Sequence, residues 1–461
     1  MKFINREQEL NFLNKKWAGN QSNLIIIYGK RRVGKTELVK QFLKDKSSIY
    51  FLADKRTTKE QLKELGRLIG YSQKDDILSK RGFNDWLEVF EYLKNKVKKP
   101  FVFVVDEFPY LVETDKAIAS VFQKGWDEYL KDTKIFFILL GSSMSIMESE
   151  TLIYKAPLYG RRTGQILLPS LKFKEAHQFF PKMNFKEFLK VFVIIGGIPA
   201  YLNQFSKDLS LEENIRQNIF SKTEFLNNEI EFVLKEELRE PKNYLSILKS
   251  ISLGKRKFGE IVNETGLEKN VMNKYLSTLE KLQITEKEIP VTEKNPQKSR
   301  KGLYKITDNF FRFWFQYVFP YKSDLELENF TQVERKMNES FNILESLVYE
   351  NVCQGILWDL QGKIFTFERL GRWWDKNEEI DLIGFNNNTG QIIFGECKWS
   401  NKPIGINIYE NLKRKSKLVE WGNEDRKEFF VLFSKSGFTS EMVRIAKKEG
   451  VFLISQDKLL Q

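Results

Sequence analysis

Gly29-Lys30-Arg31-Arg32-Val33-Gly34-Lys35-Thr36 decides the reading of this chain, because it fills every fixed position of G-x-x-x-x-G-K-[ST]. Just upstream, Asn23-Leu24-Ile25-Ile26-Ile27-Tyr28 is a near-continuous apolar run, the pattern of a strand covered on both faces. Downstream, Glu37-Leu38-Val39-Lys40-Gln41-Phe42-Leu43 puts Leu38, Val39, Phe42 and Leu43 on one side of a helix. Strand, glycine loop and helix N-terminus together form a phosphate cradle. The glycines let backbone N–H groups turn inward, and the helix end adds partial positive charge. The expected cradle is Gly29, Lys30, Arg31, Arg32, Val33, Gly34, Lys35, Thr36 and Glu37, with ATP as its ligand. Lys35 is expected to reach the β- and γ-phosphates, and the Thr36 hydroxyl to ligate Mg²⁺.

A second segment extends binding to hydrolysis. Phe101-Val102-Phe103-Val104-Val105 reads as another buried strand and ends in Asp106-Glu107. An acid at a strand end suits the Mg²⁺ water shell, the role expected of Asp106, while Glu107 is placed to orient the attacking water. Around these motifs, apolar and amphipathic segments alternate as in an α/β fold. A strand is expected near Ser48 to Ala53, helices near Lys59 to Ile69, Asn84 to Lys96 and Ala117 to Leu130. A further strand, Lys134 to Leu140, stops at Gly141-Ser142-Ser143, and a short one is expected at Gln165 to Leu168.

Composition narrows the class. The chain has 461 residues, enough for several domains. Two cysteines, Cys353 and Cys397, provide neither a disulfide framework nor a zinc site. His177 is the single histidine, which excludes histidine metal clusters and argues against Ser-His catalysis. No targeting segment is evident at Met1-Lys2-Phe3, and apolar runs such as Ile135 to Leu140 fall short of the roughly 20 residues of a membrane span. No membrane partner and a cytoplasmic, reducing location are therefore expected. A formal charge of +13 points to a polyanionic partner, with DNA the expected one.

Residues 238–318 read as a winged helix-turn-helix. Helices are expected to start at Tyr244-Leu245 and at Phe258-Gly259, the second stopping at Thr265-Gly266. A third runs from Val271 to Leu279, with apolar Val271, Tyr275, Leu276 and Leu279. Lys269, Asn270, Asn273 and Lys274 on its other face suit phosphates and base edges. Strands flank the basic stretch Glu293 to Gly302, a candidate wing. A packing or oligomerisation module is the competing reading of the same pattern. Phe310-Phe311-Arg312-Phe313-Trp314-Phe315 reads as a buried connector rather than a base-stacking surface.

Farther on, Glu378-Glu379-Ile380-Asp381-Leu382-Ile383-Gly384-Phe385, a polar turn at Asn386 to Gly390, and Ile392-Ile393-Phe394-Gly395-Glu396-Cys397-Lys398 predict a hairpin. Alternation puts Glu396 and Lys398 on one face of the second strand, near Asp381, with Cys397 pointing away. Asp381 and Glu396 are candidate Mg²⁺ ligands, and Lys398 a residue to orient or deprotonate the nucleophilic water in phosphodiester hydrolysis. A hairpin with merely solvated ion pairs is the plain alternative.

Taken together, Phe3-Ile4-Asn5-Arg6-Glu7, Gly29 to Thr36, Asp106-Glu107-Phe108, Leu140-Gly141-Ser142-Ser143, Tyr159-Gly160-Arg161-Arg162 and Gly196-Gly197-Ile198-Pro199 carry a resemblance. The chain resembles prokaryotic AAA+-like ATPases of the branch related to STAND signalling ATPases. The Asp381, Glu396 and Lys398 arrangement resembles the PD-(D/E)xK restriction-endonuclease-like fold. The resemblance implies an α/β fold with four parts: a P-loop ATPase core (1–170), a helical lid (171–235), the winged helix-turn-helix (236–320) and a nuclease-like domain (321–461). It implies a γ-phosphate sensor at Ser142 or Ser143, and Arg161 or Arg162 as the arginine completing the ATP site, from a neighbouring subunit if the protein is a homo-oligomer. It also matches Glu345 to the acid of the nuclease-like first helix. The lid shows no glycine-anchored arginine of the usual AAA+ second sensor. Two functions are expected in consequence: ATP hydrolysis coupled to DNA binding and Mg²⁺-dependent cleavage, or a STAND-like signalling switch whose nuclease-like domain is inert.

Overall fold

The run Asn23–Tyr28 becomes the strand β1, buried at every position. It lies in the middle of a parallel sheet with β2 (Ser48–Leu52), β3 (Phe101–Asp106), β4 (Ile135–Gly141) and β5 (Gly164–Leu167). The computed structural model describes residues 3–238, 240–422 and 425–460. Within it the chain divides into two compact units, residues 1–171 with Ile198–Ala200, and residues 172–197 with 201–461.

In the first unit the strand order is β2-β3-β4-β1-β5. Strand β4 thus separates β1 from β3, and its C-terminal end at Gly141-Ser142 emerges between the glycine loop and Asp106. One face of the sheet packs Ile25, Ile27, Val104 and Ile138 against Leu13, Leu38 and Phe42 of two helices. On the other, Phe103 and Phe137 stack at 5.1 Å, and Phe90 and Phe122 meet edge to face at 5.2 Å. Sequence signals hold at the helix ends. Thr57 and Glu60 close a capping box at Thr58–Gln73, and the Asp85 side chain accepts from Glu88 N at Trp86–Lys96. The helix expected over Ala117 to Leu130 forms in two pieces, α-helical Ile118–Gly125 and a π-helical turn Trp126–Leu130.

The second unit begins with helices, among them Phe185–Ile195 and Phe225–Glu237. Three more helices, Lys242–Ser252, Phe258–Thr265 and Lys269–Lys281, precede a two-stranded antiparallel sheet of β6 (Thr285–Glu288) and β7 (Leu303–Ile306). In Lys269–Lys281 the buried stripe is Met272, Leu276 and Leu279, while Val271 is exposed. The expected stripe was therefore off by one position at its start: Met272, Leu276 and Leu279 recur at i, i+4 and i+7, the cleaner helical spacing. Phe310, Phe311, Phe313, Trp314 and Phe315 are all buried, and Trp314 Nε1 donates to Asn227 O at 2.7 Å. His177 stacks on Phe188 at 4.6 Å, its Nε2 bonded to Met183 O.

A 29-residue helix, Thr331–Asp359, leads to a six-stranded sheet. Its strands are β8 (Arg369–Asp375), β9 (Glu378–Asn386), β10 (Gln391–Lys398), β11 (Lys427–Ser434), β12 (Phe452–Ser455) and β13 (Lys458–Leu459), in the order β13-β12-β11-β10-β9-β8. The expected hairpin is β9–β10, antiparallel, while β10, β11 and β12 run parallel. Among the described residues, no helix is long and apolar enough to cross a membrane.

Candidate functional site

The glycine loop takes a conformation its sequence requires. Gly29 has φ +152° and lies so close to strand-end residue Leu168 that a Cβ would sit 2.4 Å from the Leu168 carbonyl oxygen. Gly34, at φ +96°, is the N-cap of the helix Lys35–Leu43, which opens directly on the loop. Between them Lys30, Arg31 and Arg32 are half-buried, Arg31 Nη2 donating to the Tyr110 hydroxyl at 3.4 Å, and Val33 anchors the loop in the core. Lys35 is buried, and its Nζ donates to Gly29 O and Lys30 O, each at 2.9 Å. The ammonium is thereby parked at the mouth of the cradle. Glu37 is exposed in the first helical turn, where a carboxylate favours the helix dipole.

Thr36 Oγ1 donates to Asp106 Oδ2 at 2.9 Å, which brings the loop and the acidic strand end together. The same Oδ2 accepts from the Tyr50 hydroxyl, and Oδ1 from Glu107 N at 2.8 Å. Glu107 is the N-cap of Phe108–Thr114 at φ +53°. Its Oε1 takes the Ser142 hydroxyl at 2.6 Å and its Oε2 the Ser142 N–H at 3.3 Å. Thr36, Asp106, Glu107 and Ser142 therefore form one bonded group, with Lys35 beside Thr36 in the chain. Thr36 and Asp106 present the hard oxygen donors that Mg²⁺ takes in a phosphate site.

Arg161 and Arg162 find other partners. Arg161 pairs with Asp127 at 3.0 Å. Arg162 donates to Thr151 O and Tyr159 O, both at 3.0 Å, and lies 4.5 Å over the Tyr159 ring. Two residues to which the sequence reading assigned no role belong to the site's frame. Arg6, buried, donates to Pro169 O at 2.5 Å and Val33 O at 3.3 Å, bracing the loop from behind. Tyr50 carries no motif: on β2, which pairs with β3 at Tyr50↔Val104, it shares a face with Asp106 two residues on.

The C-terminal acidic group is assembled differently. Pairing of β9 with β10 ends at Leu382↔Gly395, and just beyond it Asp381 Oδ2 accepts from Cys397 N at 2.8 Å. Lys398 Nζ holds Glu396 Oε1 at 2.6 Å. Lys415, a buried lysine from the helix Ile406–Ser416, lies 3.6 Å from Glu396 Oε2, which has no hydrogen-bond partner. Burial, then the neighbouring Glu396, pushes the Asp381 carboxyl up to about 6. Burial opposes the charge of Lys398, but Glu396 and Asp381 hold it above the usual ammonium range.

On the long helix Glu350 is electrostatically tied to Asp381: burial, with Asp381 next, raises it to about 8. Glu345 is buried with an unpartnered Oε1, and its charge acts on Lys435. Arg372 of β8 reaches Glu350 at 3.6 Å, Glu379 at 3.0 Å and Glu288 of β6 at 3.5 Å. Among the described residues no group of three or more His, Cys, Asp or Glu side chains is arranged to hold a metal ion.

Lys269, Asn270, Asn273 and Lys274 are exposed together on one helix. The basic tip after β6 is tied to β8 through Lys301–Asp375 at 2.9 Å and Trp374 Nε1 to Lys301 O at 3.2 Å, leaving Lys294, Lys298 and Arg300 exposed.

Residues 3–205 match a family described as an ATPase domain predominantly from Archaea. The uncharacterized protein MJECL04 of Methanocaldococcus jannaschii is 37% identical over 438 residues, which span 94% of this chain and 95% of that protein. The chain belongs to the same family as MJECL04, with an archaeal-type ATPase domain over residues 3–205. A 44-residue stretch of this ATPase is 61% identical to the uncharacterized ATP-binding protein MJ0423 of the same organism, covering 10% of the chain and 75% of that protein. Residues 314–416 match a family of archaeal and bacterial proteins of unknown function. In fold, the ATPase is similar to the Walker-type ATPase PABY2304 of Pyrococcus abyssi, with a TM-score of 0.53 and 22% identity over 68% of this chain and 96% of that one.

Proposed function

We propose that this ATPase couples ATP turnover in its P-loop core to DNA held and cut by its C-terminal part. The observation that carries the reading is the Thr36–Asp106 contact, which closes the phosphate loop onto the acidic strand end. Thr36 and Asp106 would hold Mg²⁺, whose charge supports the departing phosphate. Lys35 leaves its loop carbonyls for the phosphate oxygens, and Glu107 orients water under the control of Ser142. Arg161 or Arg162 completes the site of a neighbouring subunit in a homo-oligomer. Residues 171–235 serve as a lid, 236–320 as a winged helix-turn-helix that presents Lys269, Asn270, Asn273 and Lys274 to DNA, and 321–461 as the nuclease-like domain.

In that last domain Asp381 and Glu396 would hold a divalent cation, which activates water, while Lys398 steadies the nucleophile. A second reading has its own support. The engagement of Glu396 by Lys398 and Lys415 favours a STAND-like switch in which this domain is inert. ATP hydrolysis measured with and without duplex DNA, with Mg²⁺ reactions run on a gel, separates the two. DNA-stimulated turnover with cutting abolished by Asp381→Ala is the expected result. Slow turnover indifferent to DNA, with intact strands, gives the switch.

A further inference from the structure

We infer that Tyr50 is a positioning residue for the metal–nucleotide complex, holding the Asp106 carboxylate in the orientation that receives Mg²⁺. The inference rests on the proposed ATP site and assigns a role to a residue outside its motifs. Asp106 is buried at the end of β3, and three donors fix it. Glu107 N takes Oδ1 at 2.8 Å, while Thr36 Oγ1, at 2.9 Å, and the Tyr50 hydroxyl share Oδ2.

These donors are not equivalent. Glu107 N belongs to the next peptide and cannot leave. Thr36 is the expected metal ligand, so its hydroxyl serves the cation and the carboxylate together. Tyr50 alone comes from another strand, and its hydroxyl lies against both Asp106 Oδ2 and the Thr36 side chain. Its place is set by the β2–β3 register, Tyr50↔Val104 and Leu52↔Asp106, which puts the phenol ring alongside the strand end on the face of Asp106. Its ring packs against the core that seats the loop helix, so the oxygen is delivered on a rigid arm. A carboxylate held from three sides does not need to reorganise when the cation arrives, and partners one step behind metal ligands typically change metal affinity by about 10–100-fold.

The test is Tyr50→Phe, which keeps the ring and deletes the hydroxyl. A fluorescent methylanthraniloyl-ADP is titrated onto the full chain in EDTA, and again across a Mg²⁺ series, with Thr36→Ala as the reference for loss of a ligand. The expected result is unchanged affinity in EDTA and about 10-fold more Mg²⁺ needed for the metal-dependent gain in affinity. An unchanged Mg²⁺ midpoint overturns the inference. So does equal weakening in EDTA, because Tyr50 would then support the loop rather than the metal. If wild type itself shows no Mg²⁺-dependent gain, and Thr36→Ala behaves like it, the ATP-site reading fails first.

Discussion

The two carboxylate groups of this ATPase differ in what answers their charge. In the P-loop group Asp106 and Glu107 accept hydrogen bonds from neutral donors: the hydroxyls of Thr36, Tyr50 and Ser142 and backbone N–H groups. In the C-terminal group Lys398 and Lys415 face Glu396, and Arg372 faces Glu350. Neutral donors orient a carboxylate and leave its charge to be met by a ligand's cation. Lysines and arginines meet the charge themselves, so an incoming metal must displace or outcompete them. The first site holds its carboxylates with hydroxyls and backbone N–H groups, and the second answers its charge with lysines and an arginine of its own chain.

The comparison breaks most sharply at Lys35 and Asp106. Alanine at either position is expected to lower ATP turnover by about 10²–10³-fold, the scale for loss of one stabilising group in a charged transition state. Thermal melts of both variants should stay close to wild type, since each side chain sits at the ligand end of the sheet. Unaltered turnover in both would move hydrolysis elsewhere. At the second group the expected result is Mg²⁺- or Mn²⁺-dependent strand cleavage that falls to background with Asp381→Ala or Lys398→Ala, and on addition of EDTA. Cutting that persists in both variants would remove these residues from the chemistry.

Arg372 sharpens the contrast through stability. Its guanidinium serves Glu288, Glu350 and Glu379 at once, from three separate elements of the second unit. Burial presses Glu288 towards its neutral form, yet Lys305, Arg372 and Arg256 outweigh it and hold the carboxyl below the usual range. Arg372→Leu removes one of the three cations that keep the buried Glu288 charged, a loss of about 3 kcal/mol on the scale of a broken buried pair. A chemical denaturation curve that shows a weakened second transition and an unmoved first one is the expected readout.

How much of this was legible in the sequence divides along the same line. Gly29 to Thr36, Asp106-Glu107 and the polar end at Ser142 are local signals, and the β2-β3-β4-β1-β5 order brings them together as the motifs imply. The D…ExK hairpin was equally local, and β9–β10 forms where Asp381 and Glu396 require it. What escaped was set by register between distant elements. Tyr50 reaches Asp106 only because β2 pairs with β3 at Tyr50↔Val104. Glu350 lies on the long helix five positions past Glu345, and its tie to Asp381 depends on how the helix crosses the sheet, which helical periodicity alone does not give. Arg372 and Lys415 carry no motif at all. Arg161 and Arg162 were legible as a pair, but the Asp127 partner of Arg161 comes from a helix far back in the chain.

The smallest expected effect is also the most specific to the second group. Glu350 has a folded-state carboxyl raised from 4.5 to about 8, and Asp381 one raised from 3.8 to about 6. Each therefore binds its proton more tightly in the folded chain than in the unfolded one. Stability from such groups is fully present below the unfolded values and is lost as pH rises through the folded ones. Wild type should therefore melt at progressively lower temperature as pH climbs, first through about 6 and then through about 8. Glu350→Gln, which cannot ionise, should keep the lower step and lose the upper one, so that above about 8 the variant melts higher than wild type. Parallel melting curves for the two proteins across this range would mean that Arg372 keeps Glu350 charged throughout. The second group would then be an ion-pair network with no shared proton, and its difference from the P-loop site would lie in geometry alone.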